Sequence, residues 1–171
     1  MKVEVGFAYS RKWFKPFAWL INFFQDIDAS HTYLSYQAEG GYTRFLDATF
    51  HTVRLRLSYY FTKDYDIRRS YYTTLDSEQT AKFKSWVGLS LGKPYSIVQV
   101  LGLFFKVVGL SRINIFRGKP NYMICNELAL EFVRDFLDVR LDKNINDYDL
   151  DETQEILDDL VASGRMYRGR L

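Results

Sequence analysis

Cys125 is the only cysteine in the chain, and His31 and His51 are its only histidines. A thiol, an imidazole and a carboxylate suffice for nucleophilic acyl chemistry. The thiolate attacks a carbonyl, the imidazole moves the proton, and a third polar group fixes the imidazole. Cys125 opens the stretch Cys125-Asn126-Glu127-Leu128-Ala129-Leu130, and apolar residues at 124, 128, 132, 133, 136 and 137 recur at helical spacing. The spacing predicts a helix with the thiol on its first turn. Free N–H groups and the helix dipole favour a thiolate there. The plain alternative is a cysteine serving as a small buried hydrophobe.

His31 begins a strand-like run just after Asp28-Ala29-Ser30 and is the candidate base. His51 opens another run in phase with Val53, Leu55 and Leu57, the usual setting of a core or strand-end histidine. It is the alternative third residue. The first choice, Asp47, depends on hairpin parity. With Glu39-Gly40-Gly41 as a three-residue loop, Asp47 lies opposite Tyr33 and shares a face with His31. With Gly40-Gly41 alone as the loop, Asp47 pairs with Leu34 and points the other way. A solvated acid near the turn is its structural alternative. Tyr95 follows Pro94, which predicts extended or turn geometry before the next helix. Glu127 on the Cys125 helix reads as a complement to the dipole.

These groups need a frame. Val3, Val5, Phe7 and Tyr9 alternate with Lys2, Glu4, Gly6 and Ala8, giving a first strand. Residues 13–25 read as a helix. From 31 to about 73 the chain reads as a meander, with runs at 31–38, 42–48, 51–60 and 65–73. The second half turns helical. Asp76 or Ser77 caps a helix to about Leu91, with Gly92 as its stop. The apolar segment 95–110 follows, then a loop through Arg117-Gly118-Lys119-Pro120 and the Cys125 helix. Asp151 or Thr153 opens a last helix that Gly164 closes. The expectation is one α+β domain over residues 1–164, an antiparallel meander or partial barrel packed against helices, with 165–171 as a loose basic tail.

Composition narrows the function classes. The 171 residues include 13 Tyr and 14 Phe at 47% hydrophobic content, a globular and β-leaning balance. A net charge of +2 is too small to argue for nucleic acid. One cysteine excludes an internal disulfide framework and any multi-cysteine zinc site. The chemistry calls for no metal and no cofactor. Polar and apolar residues alternate from Met1 onward, so no signal peptide is read and a cytoplasmic location is the default. The 95–110 segment is shorter than a membrane span and carries Gln99 and Lys106, so it reads as a buried helix. Oligomeric state is left open.

Gly92-Lys93-Pro94-Tyr95, followed some thirty residues later by Cys125-Asn126-Glu127-Leu128, resembles the Gly-x-Pro-Tyr and Cys-Ser-x-Leu motifs of the NlpC/P60 papain-like superfamily. In most members the cysteine precedes the histidine strand. Here Ala29-Ser30-His31-Thr32-Tyr33-Leu34 comes first, which resembles the circularly permuted branch. That branch holds the YiiX/YaeF-like and lecithin retinol acyltransferase-like proteins. Phe45-Leu46-Asp47-Ala48 resembles the hydrophobic-Glu-Ala stretch of the YiiX-like members. Asn126 stands in place of the common Ser, Ser96 where an Asp often follows the Tyr, and Asp47 where a longer Glu is usual. The likeness spans about residues 13–137.

The resemblance implies a cysteine hydrolase with Cys125 as nucleophile, His31 as base, Asp47 as the orienting acid and the Tyr95 hydroxyl beside the sulfur. It also suits a bacterial or phage protein. The expected substrate is a peptide or amide. Arg44, Arg54 and Arg56 suit substrate carboxylates, and a buried 95–110 helix leaves little room for an acyl chain. Acyl transfer or thioester hydrolysis on lipid-like substrates is the first alternative. A catalytically inactive binding module that keeps the fold is the second.

Overall fold

β1 (Lys2–Ser10) lies inside the sheet, antiparallel to β2 (His31–Gln37) on one side and to β5 (Tyr65–Thr74) on the other. The computed structural model describes residues 1–11, 28–38, 40–49, 51–111, 113–114, 116 and 121–170. The helix expected over 13–25, Glu39 of the hairpin loop and the 117–120 loop lie outside these. With β3 (Thr43–Ala48), β4 (Val53–Leu57) and β6 (Tyr167–Arg168), the strand order is β4-β3-β2-β1-β5-β6, antiparallel throughout. Five helices complete the α+β architecture among the described residues. They are α1 (Ser58–Asp64), α2 (Ser77–Ser90), α3 (Ile97–Val107), α4 (Cys125–Phe136) and α5 (Leu150–Ala162).

Strand alternation gives the sheet two different faces. Val3, Val5, Phe7, Leu34, Leu46 and Val53 share the main core with Phe83, Leu128 and Phe132. Ala8, Tyr33, Phe45 and Phe61 form a smaller cluster on the other face. Gly6 is what lets Tyr33 lie flat there, because a Cβ would sit 2.2 Å from the tyrosine ring. The Tyr33 hydroxyl donates to the buried Glu4 carboxylate at 2.6 Å.

The expected meander breaks after Leu57. The run 51–60 does not stay extended, because Ser58–Asp64 is helical. Phe61 drops fully buried between Phe45 (4.4 Å between ring centroids) and Tyr33 (4.8 Å). Arg56 holds the helix by bonding to the Tyr60 carbonyl and the Asp64 carboxylate. Tertiary packing thus overrides the β preference of Tyr59, Tyr60 and Phe61. β5 then crosses over to pair with β1 rather than extending the meander.

α2 has the expected caps. Asp76 and Gln79 form a reciprocal capping box, and Gly92 follows the helix with a φ of 80°. α3 differs from the buried helix expected of 95–110. Val98 and Leu101 are 58% and 41% exposed, while the inward side carries Gln99, Gly102 and Leu103. Polar contacts dock that side. Asn114 donates to the Gln99 and Asn146 carbonyls, and a Cβ on Gly102 would meet Asn114 Oδ1 at 1.7 Å. The tail differs too. Met166 is buried, Ser70 and Gly169 exchange two hydrogen bonds of 2.9 and 3.0 Å, and β6 closes the sheet edge. No helix among the described residues is long and apolar enough to cross a membrane.

Candidate active site

Cys125 is the first residue of α4, after the N-cap Ile124. Glu127 reaches back to accept from the Ile124 N–H at 2.9 Å and also accepts from the Gln99 amide. It is a buried part of the helix start, beyond a surface complement to the dipole. Burial pushes its carboxyl up to about 7. Asn126 is equally structural, donating to the Tyr148 carbonyl at 2.6 Å.

The sulfur is only 8% exposed, yet it faces donors. The backbone N–H groups of Cys125 and Asn126, the Thr32 N–H and the Thr32 hydroxyl all favour a thiolate. Thr32 Oγ1 is buried without a hydrogen-bond partner among the described residues, so its pull on the sulfur is electrostatic. The Tyr95 hydroxyl also hydrogen-bonds the sulfur. Burial is nevertheless the largest influence and holds the thiol above its ordinary value. The helix start acts as expected but does not win, because desolvation of a thiolate outweighs the donors.

The Gly92-Lys93-Pro94-Tyr95 stretch delivers its tyrosine by backbone pairing. Gly92 N–H donates to the Val53 carbonyl and Val53 N–H to the Lys93 carbonyl, both at 2.9 Å. Met123 N–H donates to the Pro94 carbonyl at 3.0 Å, and Tyr95 bridges Met123 in parallel. Tyr95 therefore lies between the start of β4 and the residues leading into Cys125. His51 is exposed and precedes β4, which begins at Val53. Its carbonyl accepts from the Tyr95 N–H at 3.4 Å.

The hairpin follows the three-residue parity. Ala38 N–H donates to the Tyr42 carbonyl, and pairs run from Gln37↔Thr43 to Leu34↔Leu46. Continued by one step, that register sets Asp47 level with Tyr33 and on the His31 face. His31 Nε2 lies 3.9 Å from Asp47 Oδ2. Asp47 is fully buried, with Arg54 Nε at 3.4 Å and Arg56 Nη1 at 3.6 Å. Burial raises its carboxyl to about 6 against the opposing pull of both arginines. Burial, with help from the same arginines, takes His31 down to about 3. Arg56 thus serves Asp47 and Asp64 with its side chain only 10% exposed, whereas Arg54 reaches Asp47 with its side chain 41% exposed.

Cys125 and His31 flank the start of β2 from two sides. His31 pairs with Ala8 and shares the α1 face, whereas Thr32 pairs with Phe7 and faces α4 and the sulfur. His31 Nε2 has no hydrogen-bond partner among the described residues, and the Thr32 donors to the sulfur come from the next position of β2. One side chain borders both groups. The Tyr65 ring stacks on His31 at 4.7 Å and 18°, and the charges of Asp47 and Cys125 both act on its hydroxyl.

Sequence reasoning missed Thr32 and Tyr65. Thr32 was within reach, since the residue after His31 must face away from it. Tyr65 gave no local signal, because its place depends on the long crossover of β5. Among the described residues, no group of three or more His, Cys, Asp or Glu side chains is arranged to hold a metal ion. No protein-family model, curated protein or solved structure matches this chain.

Proposed function

We propose that the chain is a cysteine hydrolase of the circularly permuted NlpC/P60 papain-like kind, cleaving a peptide or amide bond through an acyl-enzyme. The observation that carries this reading is the convergence of Tyr95, Thr32 and two helix-start N–H groups on one buried sulfur. A cysteine serving only as a small hydrophobe has no use for that ring of donors. The order of elements supports it as well, with a histidine strand, an acid strand, a Gly-x-Pro-Tyr turn and a cysteine helix in sequence.

The pKa directions define the resting pair. His31 is neutral and Cys125 is a thiol, so the proton moves during attack rather than before it. In the proposed reaction the imidazole takes the thiol proton at the start of β2 and later gives it to the leaving amine. Nε2 is turned toward Asp47, which leaves Nδ1 on the other side of the ring for the transfer. Asp47 steadies the imidazolium while ionised, above about pH 6. The Cys125 N–H and the Tyr95 hydroxyl receive the developing oxyanion. Water then releases the acyl group.

The exposed face of α3 favours a second reading, acyl transfer or hydrolysis on lipid-like substrates. Val98 and Leu101 are open to solvent, and Arg56, one of the three arginines expected to greet a peptide, is held by Asp47 and Asp64. Parallel assays with peptidoglycan-type peptides and with p-nitrophenyl esters of increasing chain length separate the two. Peptide cleavage lost in both Cys125→Ala and His31→Ala is the expected result. Rates climbing with ester length, without peptide cleavage, select the second reading. Turnover that survives Cys125→Ala, or none on either substrate, overturns the hydrolase.

A further inference from the structure

We infer that Tyr65 is the positioning residue of His31, holding the imidazole plane at the seam between Asp47 and Cys125. The inference rests on the proposed hydrolase, and it concerns what orients the base. A catalytic imidazole is usually aimed by a hydrogen bond to its far nitrogen. Here Nε2 is buried without a hydrogen-bond partner among the described residues, and Asp47 Oδ2 stands 3.9 Å away. That separation exceeds any hydrogen bond, so the carboxylate acts on the ring by charge and not by direction.

The direction comes from a face contact. Tyr65 stacks on the imidazole at 4.7 Å with planes 18° apart, and rotation of the ring about its own bond would break that stack. Tyr65 is itself well held. Phe61 stacks on it at 4.8 Å and 20°, and the Arg56 guanidinium lies 6.0 Å from its ring centre. Its N–H donates to the Phe61 carbonyl at the end of α1, and its backbone pairs with Ser10 as β5 begins. The junction of α1 and β5 thus places a rigid plate against the base. The hydroxyl end of the same side chain lies within electrostatic range of Cys125 and of the Tyr95 hydroxyl. One tyrosine therefore spans the interval between base and nucleophile.

The test compares Tyr65→Phe, which keeps the plate and drops the hydroxyl, with Tyr65→Leu, which drops the plate. The direct readout is the pair of His31 ring ¹⁵N shifts at neutral pH, assigned by the loss of signals in His31→Gln. The ring signals should match in wild type and Tyr65→Phe, and should shift and broaden in Tyr65→Leu as the imidazole loses its fixed plane. Turnover of p-nitrophenyl acetate should follow, with kcat in Tyr65→Leu down by up to about 10²-fold and KM unchanged. Should Tyr65→Leu fail to fold, Phe61→Leu removes the ring behind Tyr65 and should move the His31 shifts the same way. His31 shifts unmoved by losing the plate, with only the melting temperature lowered, overturn the positioning role. Wild-type turnover equal to that of Cys125→Ala would instead sink the hydrolase reading, while the ring shifts still decide Tyr65.

Discussion

On the α4 side of the sheet, Val3, Val5, Phe7, Leu34 and Leu46 close against Phe83, Leu128 and Phe132. On the α1 side, Tyr33, Phe45 and Phe61 close over a group that holds Asp47, Arg56 and His31, all buried or nearly so. The first face is fixed by area removed from water, which has no direction and no pH dependence. The second contains charges whose stability depends on mutual pairing. Among the described residues, His31 Nε2, Asp47 Oδ2 and Arg56 Nη1 are each buried without a hydrogen-bond partner, within 3.9 and 3.6 Å of one another along the row. A fold seeking only stability would fill that space with apolar side chains. The difference teaches where to look for chemistry: on the face that carries the electrostatic strain, and at the strand end where it meets the sulfur.

The sharpest break of this comparison sets one truncation on each face. Phe83 touches Tyr36, Trp86, Phe132 and Phe136, so Phe83→Ala should cost about 3–5 kcal/mol, equally at acidic and alkaline pH. Arg56→Met takes one of two arginines from Asp47 and the Arg56 contact from Asp64, and should cost about 3 kcal/mol at alkaline pH. Its cost should shrink below about pH 6, where Asp47 takes up a proton. Urea unfolding at two pH values checks both. Equal costs for Arg56→Met at the two would erase the distinction between faces.

His31 supplies the next effect. Its folded value, about 3, lies below the ordinary 6.5. Above 6.5 neither state carries the proton; below it the unfolded chain accepts a proton that the folded protein refuses, so stability falls as the pH drops. Asp47 has the opposite sign. Its folded value of about 6 lies above 3.8, so its contribution is whole below 3.8 and is lost as pH rises through 6. The two offset one another in the wild type. His31→Gln removes one side, and should be more stable than wild type by on the order of 2 kcal/mol near pH 5, with the gap closing by neutral pH. Melting curves across that range decide it; a constant gap would show that His31 is not buried as a neutral base.

The thiol connects the two faces more weakly. Its alkylation by iodoacetamide should titrate with a midpoint above the ordinary 9.0, since burial dominates. Thr32→Val keeps the volume and removes one donor to the sulfur, so the midpoint should climb further. A midpoint below 9.0, or one indifferent to Thr32→Val, would reverse the balance between burial and donors.

What the chain revealed in advance follows the range of each interaction. The face of Asp47 was legible because one hairpin loop sets it by parity, and Asp76, Gln79 and Gly92 delimit α2 within a few residues. The helix at Ser58–Asp64 was not legible. Its N-cap, Leu57, makes no side-chain cap, and only the long-range burial of Phe61 explains it. The apolar run 97–107 looked buried because periodicity cannot see that Gln99 and Gly102, rather than Val98 and Leu101, meet the polar ring of Asn114 and Asn146. Cys125 and His31 could each be singled out by type and setting. That a strand's own alternation sets them on two sides of β2 required the register of β1 as well.

Glu127 tests whether the α4 face is indifferent to pH throughout, for it is the titrating exception inside it. Its folded value of about 7 exceeds the ordinary 4.5, so its contribution is complete below 4.5 and is lost as pH rises through 7. Glu127→Gln removes that loss. The amide oxygen still accepts from the Ile124 N–H, and the new amide N–H₂ finds Gln99 Oε1 if the Gln99 amide turns over, at the expense of the Gln99 hydrogen bond to Asn146 Oδ1. The net change near neutrality should therefore be small. Relative to wild type, Glu127→Gln should gain about 3 kcal/mol between acidic and mildly alkaline pH. Denaturation at the two ends of that range, with Cys125 alkylation followed in the same samples, reads the effect on fold and on helix start together. A Glu127→Gln curve parallel to wild type would place the Glu127 proton outside the folding equilibrium, and the α4 face would then be apolar in its energetics as well as in its composition.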